Sequence, residues 1–202
     1  MTLYALKSRF QDLLRPLVRR MAAAGITANQ VTLAAAVGSV AVGLVVVWQV
    51  HRPVVFLLLP LWLFLRMALN AIDGMLAREF GQKSDLGAYL NEICDVVSDA
   101  ALYAPFALLP PFGSVAVVLV IFLAALSEFA GVLGAAVGST RRYDGPLGKS
   151  DRALLFGALA LWVALFPLPG WIGWLMPVIA VLLILTIVNR VRAGVREAAA
   201  RS

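Results

Sequence analysis

The sequence predicts an all-α, polytopic membrane fold, with six transmembrane helices preceded by an N-terminal amphipathic helix at the interface. Three observations carry this expectation. Apolar residues make up 62% of the 202-residue chain and charged residues only 14%. With a mean hydropathy of +0.91, that is more apolar surface than a water-soluble domain of this size covers. The apolar residues fall in blocks close to bilayer-spanning length, about 20 residues as a helix. The basic residues sit between those blocks, so the net charge of +6 points to anionic lipid headgroups and away from nucleic acid as a partner.

The first element covers residues 1–22. Leu3, Leu6, Phe10, Leu13, Leu14, Leu17 and Met21 recur at helical spacing, with Lys7, Arg9, Arg15, Arg19 and Arg20 among them. This is the pattern of an amphipathic helix lying on the membrane surface, although packing on the cytoplasmic ends of the spans fits it too. The segment lacks the uninterrupted apolar core and small-residue cleavage site of a secretory signal.

The six spans follow as Val31 to Val50, Val54 to about Asp73, Leu86 to Leu109, Phe112 to Val137, a shorter Ala153 to Leu168, and Trp171 to Val188. They form one domain, a six-helix bundle over residues 31–188. His51, Arg52 and Pro53, then Pro110 and Pro111, then Pro167, Leu168, Pro169 and Gly170 break helices where the chain turns back. Those three linkers belong to one side of the membrane. The linkers 78–85 and 139–152 and both termini belong to the other, which holds fifteen of the seventeen Lys and Arg residues. By the positive-inside rule both termini are cytoplasmic, and a bacterial inner membrane is the expected location. Trp48, Trp171 and Trp174 gather toward the outer interface. The single cysteine, Cys94, has no intramolecular partner and reads as a packing residue.

The chemistry is concentrated in the second and third spans, where ionisable residues are costly and so point to function. Arg66, Asn70, Asp73 and Ala77 share one helix face, as do Gly87, Asn91, Asp95 and Asp99. The two polar stripes are expected to face each other and to converge beside the linker carrying Arg78 and Lys83. Gly74, Ala77 and Gly87 leave backbone open to a bulky diphosphate.

These residues also carry a family resemblance. Asn70, Asp73, Gly74, Ala77, Arg78, then Gly87, Asn91 and Asp95 resemble the signature of the CDP-alcohol phosphatidyltransferases, D-x2-D-G-x2-A-R, a spacer, then G-x3-D-x3-D. Every spacing fits, and Asn70 and Asn91 stand where that family has its first and third aspartates. The segment from Gly25 to Thr32 and the loop from Gly145 to Lys149 are similar to family segments before the first and fifth spans, so the resemblance covers most of the chain.

The resemblance implies transfer of a phosphatidyl group from a CDP-linked lipid, CDP-diacylglycerol, to an alcohol in phospholipid synthesis, with release of CMP. It implies a divalent cation, Mg²⁺ or Mn²⁺, held at Asn70, Asp73, Asn91 and Asp95. It implies nucleotide contacts at Gly74, Ala77, Arg78 and Gly87, and Asp95 as the catalytic base. It also implies a homodimer. Amide oxygens coordinate such cations but bring no charge, so the site is two negative charges poorer than the family pattern. Glu92, Asp99 and Glu128 are further carboxylates available to it.

Structural roles compete at several of these positions. Arg66 and Glu128 are candidates for pairing within the bundle and Asp99 for an interhelical hydrogen bond. Arg141, Arg142, Lys149 and Arg152 are either topological charges or, beside Tyr143 to Pro146, a pocket for a phosphorylated acceptor such as glycerol phosphate or inositol phosphate. His51, the only histidine, lies on the outer side, away from this chemistry. Two other functions remain open. One is an inactive homologue that binds lipid or nucleotide and regulates a partner. The other is a small transporter, against which counts the lack of charge in the outer halves of the spans.

Overall fold

The computed structural model describes residues 3–201, with side chains from Arg9 onward. The expected contributions of Leu3, Leu6 and Lys7 lie outside the described side chains. The described residues form seven α-helices and no strand: α1 (Leu3–Ala23), α2 (Ala28–Trp48), α3 (Leu58–Glu79), α4 (Asp85–Tyr103), α5 (Ser114–Ala136), α6 (Lys149–Leu165) and α7 (Leu175–Ala199). Short 3-10 turns, Pro53–Leu57, Ala104–Leu108 and Gly170–Trp174, adjoin α3, α4 and α7.

Six helices follow α1, one for each apolar block. Among the described residues, four segments are long and apolar enough to cross a membrane: Ala28–Trp48, Pro53–Glu79, Ser114–Ala136 and Gly170–Ala199. The other two differ for visible reasons. Helix α4 carries Asp85, Glu92, Asp95 and Asp99, and α6 has only 17 residues and opens on Lys149, Asp151 and Arg152.

The helices also overrun the apolar blocks at the basic end. Helix α3 continues past Asp73 to Glu79, α6 begins at Lys149 rather than Ala153, and α7 continues past Val188 to Ala199. Apolarity marks contact with lipid, whereas backbone hydrogen bonding carries a helix on through polar residues. At the opposite end prolines set the limits: Pro105 lies in the 3-10 turn after α4, and Pro53 opens the one before α3.

Helix α2 packs on both α3 and α4. Its buried face includes Ala28, Thr32, Ala35, Ala36, Ser39 and Gly43, small residues that let helix backbones approach closely. At Gly43 a Cβ would collide with the Ala101 carbonyl. The start of α2 is set by a reciprocal cap. Gln30 N donates to Thr27 Oγ1 at 3.2 Å, and Thr27 N donates to Gln30 Oε1 at 2.9 Å.

Away from the α3–α4 linker, the core is aromatic. Phe106 makes edge contacts with Phe56, Phe112 and Phe156 at 5.5, 5.8 and 5.4 Å between ring centroids, and Phe156 stacks on Tyr103 at 3.8 Å. Large apolar side chains such as Leu61, Phe64, Val115 and Phe122 cover the outside, as expected where the solvent is lipid. Trp48, Trp171 and Trp174 are exposed at the aromatic end.

Helix α1 is amphipathic, with two apolar edges. Leu14, Val18 and Met21 pack on Val31, Ile72, Met75 and Leu76, and Arg15 Nε donates to Glu79 Oε2 at 3.1 Å. Leu13 and Leu17 remain exposed. The helix therefore leans on α3 by one edge and leaves the other outward.

Candidate functional site

Helices α3 and α4 face each other across a cavity of about 350 Å³. Its walls are Asp73, Gly74, Ala77 and Arg78 of α3, Gly87, Ala88, Asn91 and Glu92 of α4, and Ala28, Asn29 and Thr32 at the start of α2; Gln82, Lys83 and Ser84 of the linker complete it. Six of the eight motif positions meet there. Asn70 and Asp95 are not among the lining residues.

Asp73 is buried, and its Oδ2 accepts from Thr32 Oγ1 at 2.8 Å. Among the described residues it forms no ion pair. A buried carboxylate without a cation is unfavourable unless a ligand supplies one. Arg78 and Lys83 likewise have no ion pair among the described residues, so two unneutralised cations stand at the same cavity. The glycines decide how near a ligand can come. A Cβ at Gly74 would lie 2.9 Å from Arg78 Nη2, so the guanidinium folds over the bare backbone. A Cβ at Gly87 would lie 2.8 Å from Asn29 Oδ1 and 3.0 Å from Ser84 Oγ. Ser84 caps α4 by accepting from Gly87 N at 3.0 Å, which turns the positive end of that helix toward the cavity.

Behind the cavity the polar stripes meet as expected, through a network of ion pairs. Arg66 Nη2 donates to Asp95 Oδ1 at 3.0 Å and Arg66 Nη1 to Asp99 Oδ1 at 2.6 Å. Lys149 Nζ pairs with Asp95 Oδ2. Arg152 Nη2 joins Asp99 Oδ2 and Glu128 Oε1, each at 2.9 Å. Glu128 Oε2 lies 3.4 Å from both Arg141 Nη2 and Arg190 Nη1, and Arg141 Nη1 reaches Glu92 Oε1 at 2.5 Å. Arg66 thus pairs with the α4 aspartates and not with Glu128, and Asp99 bridges two arginines from other helices. The expected acceptor-phosphate residues Arg141 and Lys149 both belong to this network. Arg142 lies apart, on Asp144 and Glu197. Its hydrogen bond holds the Asp144 carboxyl below the usual carboxylate range.

The sequence reading missed Thr32, the partner of Asp73, and Arg190, the third guanidinium on Glu128. Thr32 is the second residue of the block that opens at Val31, about one turn into α2, where it reads as part of a plain apolar helix. Arg190 lies just past the last apolar residue of its block, where it was counted as a topological charge. Its burial was the missing signal, and the overrun of α7 supplies it.

The loop entering α6 is held at Gly145, whose φ of +125° suits glycine and where a Cβ would lie 2.7 Å from Thr186 Cα. Leu147 N donates to Thr186 Oγ1 at 3.1 Å. These contacts place Lys149 beside Asp95.

The model of the CDP-alcohol phosphatidyltransferase family matches residues 25–188. The chain belongs to that family. Helix pair, cavity and loop described above all lie within the matched region. The "Inner membrane protein YnbA" of Escherichia coli (strain K12) is 48% identical over 196 residues, covering 96% of each chain. The phosphatidylinositol phosphate synthase of Mycolicibacterium smegmatis is 29% identical over 200 residues, covering 93% of this chain and 86% of that one. The fold matches the crystal structure of Mycobacterium tuberculosis phosphatidylinositol phosphate synthase in complex with manganese and citrate. The TM-score is 0.72 at 21% identity, over 89% of this chain and 87% of that one. A second structure of that protein, with CDP-DAG bound, matches with a TM-score of 0.71.

Proposed function

We propose that this chain transfers a phosphatidyl group from CDP-diacylglycerol to an alcohol, releasing CMP. The observation that carries the reading is the cavity where Asp73, Gly74, Ala77, Arg78, Gly87 and Asn91 converge. Arg78 and Lys83 pair with the diphosphate there, and the α4 N-terminus adds its dipole. Gly74 and Gly87 admit the phosphates to the backbone. Asp95, held between Arg66 and Lys149, is the base. The alcohol oxygen bonds to the phosphorus that bears diacylglycerol, the bond from that phosphorus to the CMP oxygen breaks, and the hydroxyl proton passes to Asp95.

A divalent cation fits this site singly. Among the described residues no three His, Cys, Asp or Glu side chains gather to hold a metal, and both oxygens of Asp95 are already on cations. Asp73 and the Asn91 amide, with the ligand's own phosphates, make a donor set for one Mg²⁺ or Mn²⁺. When bound, the cation neutralises the diphosphate and stabilises charge on the leaving phosphate. Asn70 is off the cavity wall, one turn before Asp73 on α3. A relative's structure with manganese and one with CDP-DAG support the assignment by likeness of fold.

The same reading places all six helices α2 to α7 across the membrane, with the short, charged α4 and α6 sheltered by the others. It puts both termini on the cytoplasmic side with most of the basic residues.

The test is incubation of the purified protein with CDP-diacylglycerol, Mg²⁺ or Mn²⁺ and a panel of alcohols, with CMP and lipid product read by mass spectrometry. Asp73→Asn is expected to lower CMP release by roughly 10²-fold or more through loss of cation binding. Equal turnover by wild type and variant would remove Asp73 from the reaction. The pairing of Asp95 with Lys149 and the two asparagines favour a second reading, a binding homologue without turnover. Cation-dependent CDP binding in the absence of CMP release would establish it.

A further inference from the structure

We infer that the acceptor is an uncharged alcohol, and that Glu128 is the residue that excludes a phosphorylated one. This rests on the reading of Asp95 as the base. An acceptor hydroxyl must reach Asp95 from the side that the nucleotide cavity does not take. On that side stand Lys149, Arg141, Arg152 and Arg190, a set of cations that would suit a phosphate if they were free. None of them is. Lys149 is on Asp95, Arg141 on Glu92 and Glu128, Arg152 on Asp99 and Glu128, and Arg190 on Glu128.

Glu128 occupies the centre. One carboxylate receives three guanidiniums from the α5–α6 loop, α6 and α7, at 2.9 to 3.4 Å, which is the arrangement a bound phosphate would have. It is 6% exposed, with Arg152 and Arg190 at 1% and 2%. The void beside Asp99, Glu128 and Arg152 measures about 10 Å³, space for one water at most and none for a phosphate, and the groove of about 460 Å³ that Glu128 also borders is walled by Ile93, Val97, Phe122 and Phe129 with Glu92 and brings no cation to an anion. A dianionic acceptor would have to expel a buried carboxylate and leave it without partners, which burial penalises heavily. The open nucleotide cavity is built the other way, with its cations unpaired.

The donors left over match a neutral oxygen. Arg141 Nε and Arg190 Nε are buried without a hydrogen-bond partner among the described residues. Each belongs to a guanidinium whose charge is already met by a carboxylate, so each asks for one more acceptor and no more charge. A hydroxyl of a polyol supplies that.

Two measurements on the full-length protein test the inference. The first is thermal melting with inorganic phosphate against chloride at matched ionic strength, which needs no turnover. Wild type and Glu128→Asp are expected to show no phosphate-dependent shift, whereas Glu128→Gln, which frees three guanidiniums, gains one of a few degrees. The second is CMP release from CDP-diacylglycerol with glycerol against glycerol 3-phosphate, and with myo-inositol against its 1-phosphate. Wild type is expected to favour the neutral member of each pair by tenfold or more, and Glu128→Gln to shift that ratio toward the phosphorylated one.

Wild type stabilised by phosphate as strongly as Glu128→Gln, or turning over the phosphorylated acceptors at least as well as the neutral ones, overturns the inference. If Glu128→Gln does not fold, those wild-type results alone decide it. If no acceptor yields CMP while the melting results are as expected, the closed anion site stands and the transferase reading fails.

Discussion

The two halves of the polar region treat charge in opposite ways. In the α2–α3–α4 half, Asp73, Arg78 and Lys83 border a cavity of about 350 Å³ and make no ion pair among the described residues. In the α4–α5–α6–α7 half, Asp99, Glu128, Arg152 and Arg190 are each nearly inaccessible, and every one is paired. Of the three, buried Asp73 is costly unless a ligand brings it a cation, whereas exposed Arg78 and Lys83 are solvated by water and stand ready for an anion. Neutralised charge in a filled volume holds helices together. The first half is built to bind and the second to lock the bundle behind it.

The largest expected effect breaks the locked half. Arg152→Ala takes one guanidinium from Asp99 and one from Glu128 at once, leaving Asp99 on Arg66 and Glu128 on the more distant Arg141 and Arg190, and loss of a partner from a buried ion pair costs up to about 3–5 kcal/mol. Melting of the detergent-solubilised protein should show the drop, together with poor recovery from membranes. A variant as stable as wild type would mean that the network is not structural. Arg78→Ala, by contrast, should leave melting unchanged, because Arg78 is exposed and has no ion pair among the described residues. It should instead weaken CDP binding by roughly 10-fold to 10²-fold, the worth of a charge-assisted contact to phosphate. Calorimetric titration with CDP checks it, and an equal effect of both variants on stability would erase the distinction between the halves.

The same contrast explains what was legible in the sequence. The open half is written in local patterns: fixed spacings put Asp73 and Ala77 of one stripe and Gly87 and Asn91 of the other on the cavity, and the motif adds Gly74 and Arg78, while Arg66, Asn70, Asp95 and Asp99 of the same stripes fall outside its lining. The locked half depends on residues far apart in the chain. Arg190 meets Ser127 and Glu128 across more than sixty positions, a distance over which helical periodicity says nothing. Composition showed the six apolar blocks but not the helix ends, because α3, α6 and α7 run on through charged residues. Thr32 was invisible for a related reason. A hydroxyl in an apolar run satisfies itself on its own helix, as Thr32 does on Ala28 O at 3.1 Å, until a carboxylate from another helix arrives.

The smallest expected effect separates the two asparagines, which the motif treats alike and the structure does not. Asn91 lines the cavity beside Asp73, whereas Asn70 sits one turn back and off its wall. Asn91→Asp therefore adds a negative charge where a cation binds, at nearly constant side-chain size. Manganese affinity, measured by electron paramagnetic resonance of free ion in the presence of CDP, should rise on the order of tenfold, about 1.4 kcal/mol. Asn70→Asp adds its charge farther from the ligand, and its gain should be smaller. The double variant restores the family's charge pattern and should hold cation more tightly than either single variant. Tighter binding is not faster turnover, however. A site matched to one cation is slowed when a second carboxylate retains the ion and its diphosphate after the bond has broken, since release then limits the rate. With the asparagines as an adaptation to one cation, CMP release is expected to fall as manganese affinity rises. A double variant that turns over where the native chain is silent would show instead that the asparagines mark a lost activity.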